Sequence, residues 1–549
     1  MFTRCGVLAA RRCLTLTTRS LAVGVIAACS GTARPEMSLD ATLITVPERP
    51  SGSVTILHTN DIHGDLSEFL ADTGGATAQT GDPGRSGQQY PRRGVIGGFP
   101  RLATAVAQAR GRRPPGSVVL VDAGDTFGDG LLANLTRGAA TIQLMNALGY
   151  DFMALGNHDY EYTTERTSQL QGMARFPMRG ANAIVTATGA PFLGDPTLIV
   201  RAGGLRIGFL ALTYHNSDQT GNKDNTRDLT FTSGIEAARR YVPGLRRRAD
   251  VVVVVSHQGT AVDSVLGLQV AGIDIIVGGH SHDRITPPRR VGGAWLVQAL
   301  SDASALGELT VTVTDGRVSD VHGAVHELYA DRYAPDALLA RTLDSVRAPY
   351  RDTLESVIAT AAHRLARHYK SESPVDALAA ELLRRAGHAD VAFLPGLGFG
   401  VTIQPGPITR EMLVGLFPHA TTLVHELLTG RQIRLILEQS ATNLRPDDPM
   451  DGVGGLIQTA GLRWTVDLGK RRDHRISAVT IGEHALDDTA HYRAVTTSGL
   501  LQGTHRQATF SVGAAIVRDP RSSIAVLEDG MRRLGTIRSP RLGAITIVK

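Results

Sequence analysis

Residues 251–259 read VVVVVSHQG, five consecutive valines followed by a polar turn that begins with His257. A strand with one wet face alternates apolar and polar residues. An unbroken β-branched run implies burial on both faces of a sheet, and such sheets carry helices. The run therefore points to an α/β protein. Working outward from it, apolar strands are expected at 53–58, 117–122, 151–155, 205–213, 250–256 and 273–277, alternating with helical segments. Strands at 295–300 and 307–314, joined onward by TDGR, are expected to form a hairpin that closes this first domain.

Polar residues recur where these strands end. They are Asp61 and His63 in HTNDIHGD, Asp125 in DAGDTF, Asn157 and His158 in ALGNHDYEY, His257 in VSHQG, and His280 and His282 in GGHSHD. Each motif alone has a bland reading. D-x-H is a common polar strand end, H-x-H a common surface pair, and G-N-H-D a plausible turn. Five motifs, each directly after a strand, are another matter, because ligands of α/β sheets gather at the carboxyl edge. Carboxyl and amide oxygens combined with several imidazoles suit borderline divalent ions such as Mn²⁺, Fe²⁺ or Zn²⁺. A shared carboxylate, for which Asp125 is the candidate, would bridge two ions roughly 3.5–4 Å apart, as in two-metal hydrolases.

The ordered set D-x-H, G-D, G-N-H-[DE], H and G-H-x-H resembles the calcineurin-type metallophosphoesterases, in the branch of the bacterial 5′-nucleotidases. The resemblance spans about 53–315 for the metal domain and roughly 356–505 for a second domain. It implies an N-terminal four-layer α/β/β/α sandwich and a C-terminal α/β substrate domain, joined by a helix. It further implies one ion held by Asp61, His63, Asp125 and His282, and a second held by Asp125, Asn157, His257 and His280. His158 is then not a ligand. It stabilises charge on the transferred group or protonates the leaving oxygen, oriented by Glu161, which stands where the family typically has Asp. The implied reaction is attack of a metal-bound hydroxide on a phosphoester, in line with the leaving group.

The second domain departs from that pattern. Where nucleotidases carry Asn-x-Gly-x-Ile-Arg, the sequence reads LPGLGFG (394–400), and TTSGLLQGTHRQ (496–507) replaces a base-stacking turn. Pro395, Gly396, Phe399 and Gly400 instead resemble a turn of the SoxB-type thiosulfohydrolases, as do PITRE (407–411) and TNLRPDDP (442–449). Phe399 and Trp464 are candidates for stacking a planar ligand, and Arg410 and Arg463 for anion contacts. The expected substrate is a small nucleotide or related phosphoester. The alternative is a carrier-bound thiosulfonate, the only reading that calls for a protein partner.

At 549 residues the chain is too long for one ordinary core, so two domains are expected. The segments read as 1–29 leader, 30–52 linker, 53–330 metal domain, 331–370 helical connector and 371–549 second domain. The Gly-rich stretch 72–93 reads as a loop, and 510–549 has too weak a pattern to place. Arg4, Arg11, Arg12 and Arg19 lie in the first 28 residues with no acid among them, so taking four from the net charge of +5 leaves +1. That balance indicates no nucleic-acid polymer as partner. RSLAVGVIAACSG (19–31) has the basic lead, apolar run and small residues of an export signal. Cys29 stands where a bacterial lipid anchor would be attached, an ordinary cleaved leader being the other reading. A periplasmic or cell-surface location follows from either. No cysteine lies beyond Cys29, so thiol chemistry is excluded from the body of the chain.

Overall fold

The computed structural model describes residues 50–71, 90–398, 400 and 402–548, and residues 50–548 belong to one compact unit. The expectations for Cys29, the leader and most of the 72–93 loop lie outside the described residues, as does Phe399.

The metal domain is built on two sheets. The first runs in the order Leu229–Phe231, Met178–Val185, Phe152–Ala154, Val118–Asp122, Gly52–Thr59, Ala305–Thr314 and Arg317–Glu327. Its four central strands, from Met178–Val185 to Gly52–Thr59, are parallel. The second runs Arg284–Val291, Ala294–Ala299, Ile275–Gly278, Val251–Ser256, Leu205–Leu212 and Thr197–Ala202, again parallel at its centre.

The valine run shows how the layers stack. Val251, Val253 and Val255 point into the core between the sheets, against Ile56, Val121, Phe152 and Phe209. Val252 and Val254 point the other way, beneath helices Gly234–Arg246 and Thr260–Gln269. On the opposite outer face Leu57, Leu120 and Met153 pack under helices Phe99–Gly111 and Ala139–Leu148. Period-two alternation with an apolar partner on both sides is what five valines in a row require. The result is the expected four-layer α/β/β/α sandwich.

Three expectations need correction. Ala294–Ala299 does not pair with Ala305–Thr314; it lies in the second sheet, and TDGR turns Ala305–Thr314 back into Arg317–Glu327. The two apolar runs are adjacent in sequence but bury against different layers. The helical connector is also shorter than 331–370. Helix Ala337–Arg347, capped by the Asp336 side chain, ends in short turns at Leu354, and Val357–Ala361 is already a strand of the second domain. The β-branched sequence SVIATA buries Ile358, Ala359 and Ala361, a strand pattern that outweighs the helical stretch before it. Finally, the tail has a place. Ala514–Ser522 is the edge strand of the second domain's five-stranded sheet, Ser523–Leu534 is a helix, and Ile545–Val548 pairs with Leu462–Asp467.

That five-stranded sheet runs Gly455–Ala460, Val391–Gly396, His491–Thr497, Thr422–Thr429 and Ala514–Ser522. Helices Pro374–Ala386 and Gly430–Leu444 bury Leu383 and Leu437 in its two apolar clusters. The domain is α/β, as expected.

Candidate metal centre

Every candidate ligand follows the carboxyl end of a strand. Asp61 and His63 follow Gly52–Thr59, Asp125 follows Val118–Asp122, and Asn157 follows Phe152–Ala154, all in the first sheet. His257 follows Val251–Ser256, and His280 and His282 follow Ile275–Gly278, in the second. The centre thus sits on the rim where the sheets face each other. Asp61, His63, Asp125, His280 and His282 all have positive φ, between 53° and 71°. Left-handed backbone at five non-glycine residues of one cluster marks loops bent to aim side chains inward. Glycines make room for them. A Cβ on Gly156 would stand 2.2 Å from Asp125 Oδ1, and one on Gly279 would stand 2.9 Å from His257 Nδ1.

The side chains fall into two sets. Asp61, His63 and His282 form one, with Asp61 Oδ1 3.2 Å from His282 Nε2 and the Nε2 atoms of His63 and His282 3.1 Å apart. Asp125, His257 and His280 form the other, with His257 Nε2 2.9 Å from Asp125 Oδ2. That last pair is close but not aligned as a hydrogen bond, since His257 Nε2 is buried with no bonding partner. Its Nδ1, 2.7 Å from the carbonyl of Ala123, fixes the ring. The amide oxygen of Asn157 is likewise buried and unbonded. Besides lying near His257, Asp125 holds the Asn157–His158 loop, because its Oδ1 accepts from the backbone N–H of His158 at 2.7 Å.

Electrostatics point the same way. Burial alone would raise the pKa of Asp61, but His282 and His257 outweigh it and hold the carboxyl below the usual range. Burial would lower His257, yet Asp125 pushes it up to about 9. Carboxylates that favour protonated imidazoles equally favour a divalent cation held between them. The orphaned oxygen of Asn157, the unbonded His257 nitrogen and the mixed N/O donor set fit borderline metal ions.

His158 lies beside this cluster with its ring edge-on to His63. The acid nearest its ring is Asp129, with the expected Glu161 farther off. Asp129 brings Oδ1 to 3.2 Å and Oδ2 to 3.1 Å of His158 Nδ1, whereas Glu161 Oε1 is 3.7 Å away. Asp129 Oδ2 also lies 2.6 Å from His63 Nδ1, so one carboxylate serves a candidate ligand and the candidate acid together. Burial opposes a proton on His158, but Asp129 and Asp125 prevail and hold its pKa well above the ordinary imidazole range. Glu161 instead sits between His158 and His419 of the second domain, whose Nε2 is 3.5 Å from Glu161 Oε1. Burial pushes Glu161 up to about 7, against the pull of His158. Asp159 is structural: its carboxylate accepts from the backbone N–H of Asp125, Thr126 and Gly156, tying two ligand loops together.

The centre opens into a cleft between the domains. Glu161, Asn222 and Asn225 form one wall, and Leu394, Phe417, His419, Thr497 and His505 the other. Burial lowers both His419 and His505 to about 4, so both imidazoles are neutral. Among the described residues lining the centre and the cleft there is no Lys or Arg.

The substrate candidates are not brought together. Trp464 is 1% exposed in the second domain's core, its Nε1 donating to Thr459 at 3.1 Å. Arg463, its strand neighbour, is exposed, and Arg410 pairs with Glu528 at 3.2 Å. None of the three lines the centre or the cleft. A single tryptophan among β-branched residues reads equally as core or as ligand platform, and here the core takes it. Asp129 and His419 escaped the sequence reading. The first lies in a glycine-rich DTFGDG that also reads as a turn, and the second is a lone loop histidine with no spacing to flag it.

Residues 54–284 match the family described as calcineurin-like phosphoesterase, and residues 357–511 match the 5′-nucleotidase C-terminal domain. Rat 5′-nucleotidase is 30% identical over 251 residues, which is 45% of this chain and 41% of that protein. The first curated relatives share only about a third to two fifths of their own length with the chain. Among solved structures, the sulfate thiohydrolase SoxB of Thermus thermophilus superposes with a TM-score of 0.82 at 25% identity, covering 91% of this chain and 97% of that one. A 5′-nucleotidase precursor from the same species gives 0.80 at 24%, covering 90% and 99%, a likeness of fold.

Proposed function

We propose, for a chain that belongs to the family joining a calcineurin-like phosphoesterase domain to a 5′-nucleotidase C-terminal domain, that it is an exported hydrolase of small phosphoesters, nucleotides among them. The observation that carries this reading is the convergence of seven donor side chains from both sheets on one rim, with the His158 ring beside them and 3.2 Å from the Asp129 carboxylate. In this reading Asp61, His63, Asp125 and His282 hold one divalent ion, and Asp125, Asn157, His257 and His280 a second. Bound there, such ions supply an activated water and neutralise the charge of a phosphoryl group. The chain's own residues do the rest. Asp129, which is not among the ligands, favours a proton on His158, which lines the centre where it meets the cleft and can give that proton to the leaving oxygen. Asp129 holds that ring in place while also fixing His63. The two-domain cleft shelters the ester from bulk water. Export rests on the leader-like first residues, and a mature chain beginning at Cys29 would carry the lipid anchor.

The test is phosphate release from AMP by the purified protein, with Mn²⁺ and after chelation, beside an aryl phosphate. Metal-dependent release from both, lost in His158→Ala, is the expected result. Turnover of the aryl ester alone would remove nucleotides from the substrate range. Turnover of neither, with metal present, would sink the phosphoesterase reading.

A second reading, a thiosulfohydrolase, is favoured by one observation. The likeness to the SoxB structure spans both domains, including the end of strand Val391–Gly396 that carries Leu394 and Pro395 into the cleft wall. Sulfate release from a peptide-linked thiosulfonate would select it.

A further inference from the structure

Tyr214 follows strand Leu205–Leu212, and its ring stacks on that of His280 with centroids 3.9 Å apart and planes at 26°. Among the described residues, the contacts of His63 with His158 and His282, of His158 with His419 and of His257 with His280 are tilted or edge-on. Tyr214 is 2% exposed, and its hydroxyl donates to the carbonyl of Gly452 in the second domain at 2.6 Å. Its two successors are held by the same loop. His215 Nε2 lies 2.8 Å from the carbonyl of Met450, and Asn216 Nδ2 donates to that carbonyl at 3.0 Å. Arg506 fixes the loop from behind through the Asp451 carboxylate at 2.9 Å, and its other nitrogen reaches Asn216 Oδ1 at 3.3 Å. A short segment of the second domain therefore grips one turn of the metal domain, and the gripped residue lies flat against a candidate metal ligand.

We propose that loop 449–452 and Tyr214 form an interdomain clamp on His280, so that metal retention by the Asp125, His257 and His280 set depends on docking of the second domain. The proposal rests on the metal reading above. An imidazole binds a cation along one direction only, and a ring free to rotate loses entropy when the ion arrives. A stacked, hydrogen-bonded neighbour removes that freedom beforehand. Tyr214 is thus a positioning residue, acting through His280. Coupling of this kind is reciprocal, so metal must stabilise the docked domains by the factor by which docking tightens metal.

The test is a calorimetric Mn²⁺ titration of the full metal-free chain, comparing wild type with Tyr214→Phe and Tyr214→Leu. Phenylalanine keeps the stacked ring and loses the interdomain bond, while leucine loses both. One of two metal equivalents should weaken by about tenfold in Tyr214→Leu and by less in Tyr214→Phe, the other equivalent staying within about twofold. In parallel, Mn²⁺ should slow amide exchange in 449–452 of wild type but not of Tyr214→Leu. Unchanged affinities in both variants would overturn the clamp, and so would an equal loss at both equivalents, which is the mark of general damage. Should Tyr214→Leu not fold, Tyr214→Phe decides by the same criteria. A wild-type chain that takes up no metal overturns the metal reading and the clamp with it, a result distinct from full uptake that Tyr214 does not affect.

Discussion

Asp129 shows at the scale of a single residue what spacing can and cannot carry. Asp61, His63, Asp125, Asn157, His257, His280 and His282 were legible because each is a donor placed just beyond a strand, where the topology must bring them together. Asp129 has the same chemistry, but four residues past Asp125 and between glycines it matches any polar turn. Only the folded loop, with Asp129 at φ 79°, turns its carboxylate toward two imidazoles. The geometry ranks the two acids beside His158. Asp129→Asn should lower kcat/KM on an aryl phosphate by about 10- to 100-fold, because it loosens His63 and His158 together. Glu161→Gln, standing 3.7 Å off, should cost less. Initial rates of the two variants decide it, and a reversed order would return the orienting role to Glu161.

Elements were legible where their pattern was unambiguous. Five valines can only be a doubly buried strand, and the six strand expectations around them fall on observed strands within two residues at each end. The misreadings came where neighbouring runs of like pattern bury in different layers, as with Ala294–Ala299 and Ala305–Thr314, or where a short strand adjoins a helix, as at Val357–Ala361. The tail was illegible because its strand Ala514–Ser522 is an exposed edge, where no apolar alternation is demanded. Beneath that edge lies Glu426, on strand Thr422–Thr429, 3% exposed and with both carboxyl oxygens unbonded. Burial pushes it from 4.5 up to about 8. Below the lower value both folded and unfolded chains hold the proton. Between the two values only the folded chain does, so stability falls as pH rises through that window. Glu426→Gln should therefore melt higher than wild type at about pH 8.5 and level with it at about pH 4. Thermal melts at the two pH values check this, and a constant difference would show that the carboxyl does not titrate in the fold.

For the molecule as a whole, the candidate ligands come from loops of both sheets, so a bound ion would tie the two halves of the sandwich across their rim. Chelation should lower the melting temperature, by an amount set by how far free metal exceeds its dissociation constant; a hundredfold excess is worth about 2.7 kcal/mol. Calorimetry with and without chelator measures it, and equal melting temperatures would mean the donors do not bind metal in the folded chain. The two-domain plan could be read in advance from length and motif order. The pairing of cleft walls could not, since His419 meets Glu161 only through packing. Those walls have a kinetic consequence. With neutral imidazoles at His419 and His505, carboxyl groups at Glu161 and Asp376, and no described lysine or arginine in their lining, the walls leave the attraction of an approaching anion to ions bound at the floor of the cleft. The field that draws the anion is then focused at the buried floor, where salt screens it far less than it would screen charges on an open wall. The KM for a phosphoester should stay nearly constant as ionic strength is raised from about 0.01 to 0.15 M, although the Debye length falls from about 30 to 8 Å. A steep rise in KM over that range would reveal a source of positive potential beyond the cleft.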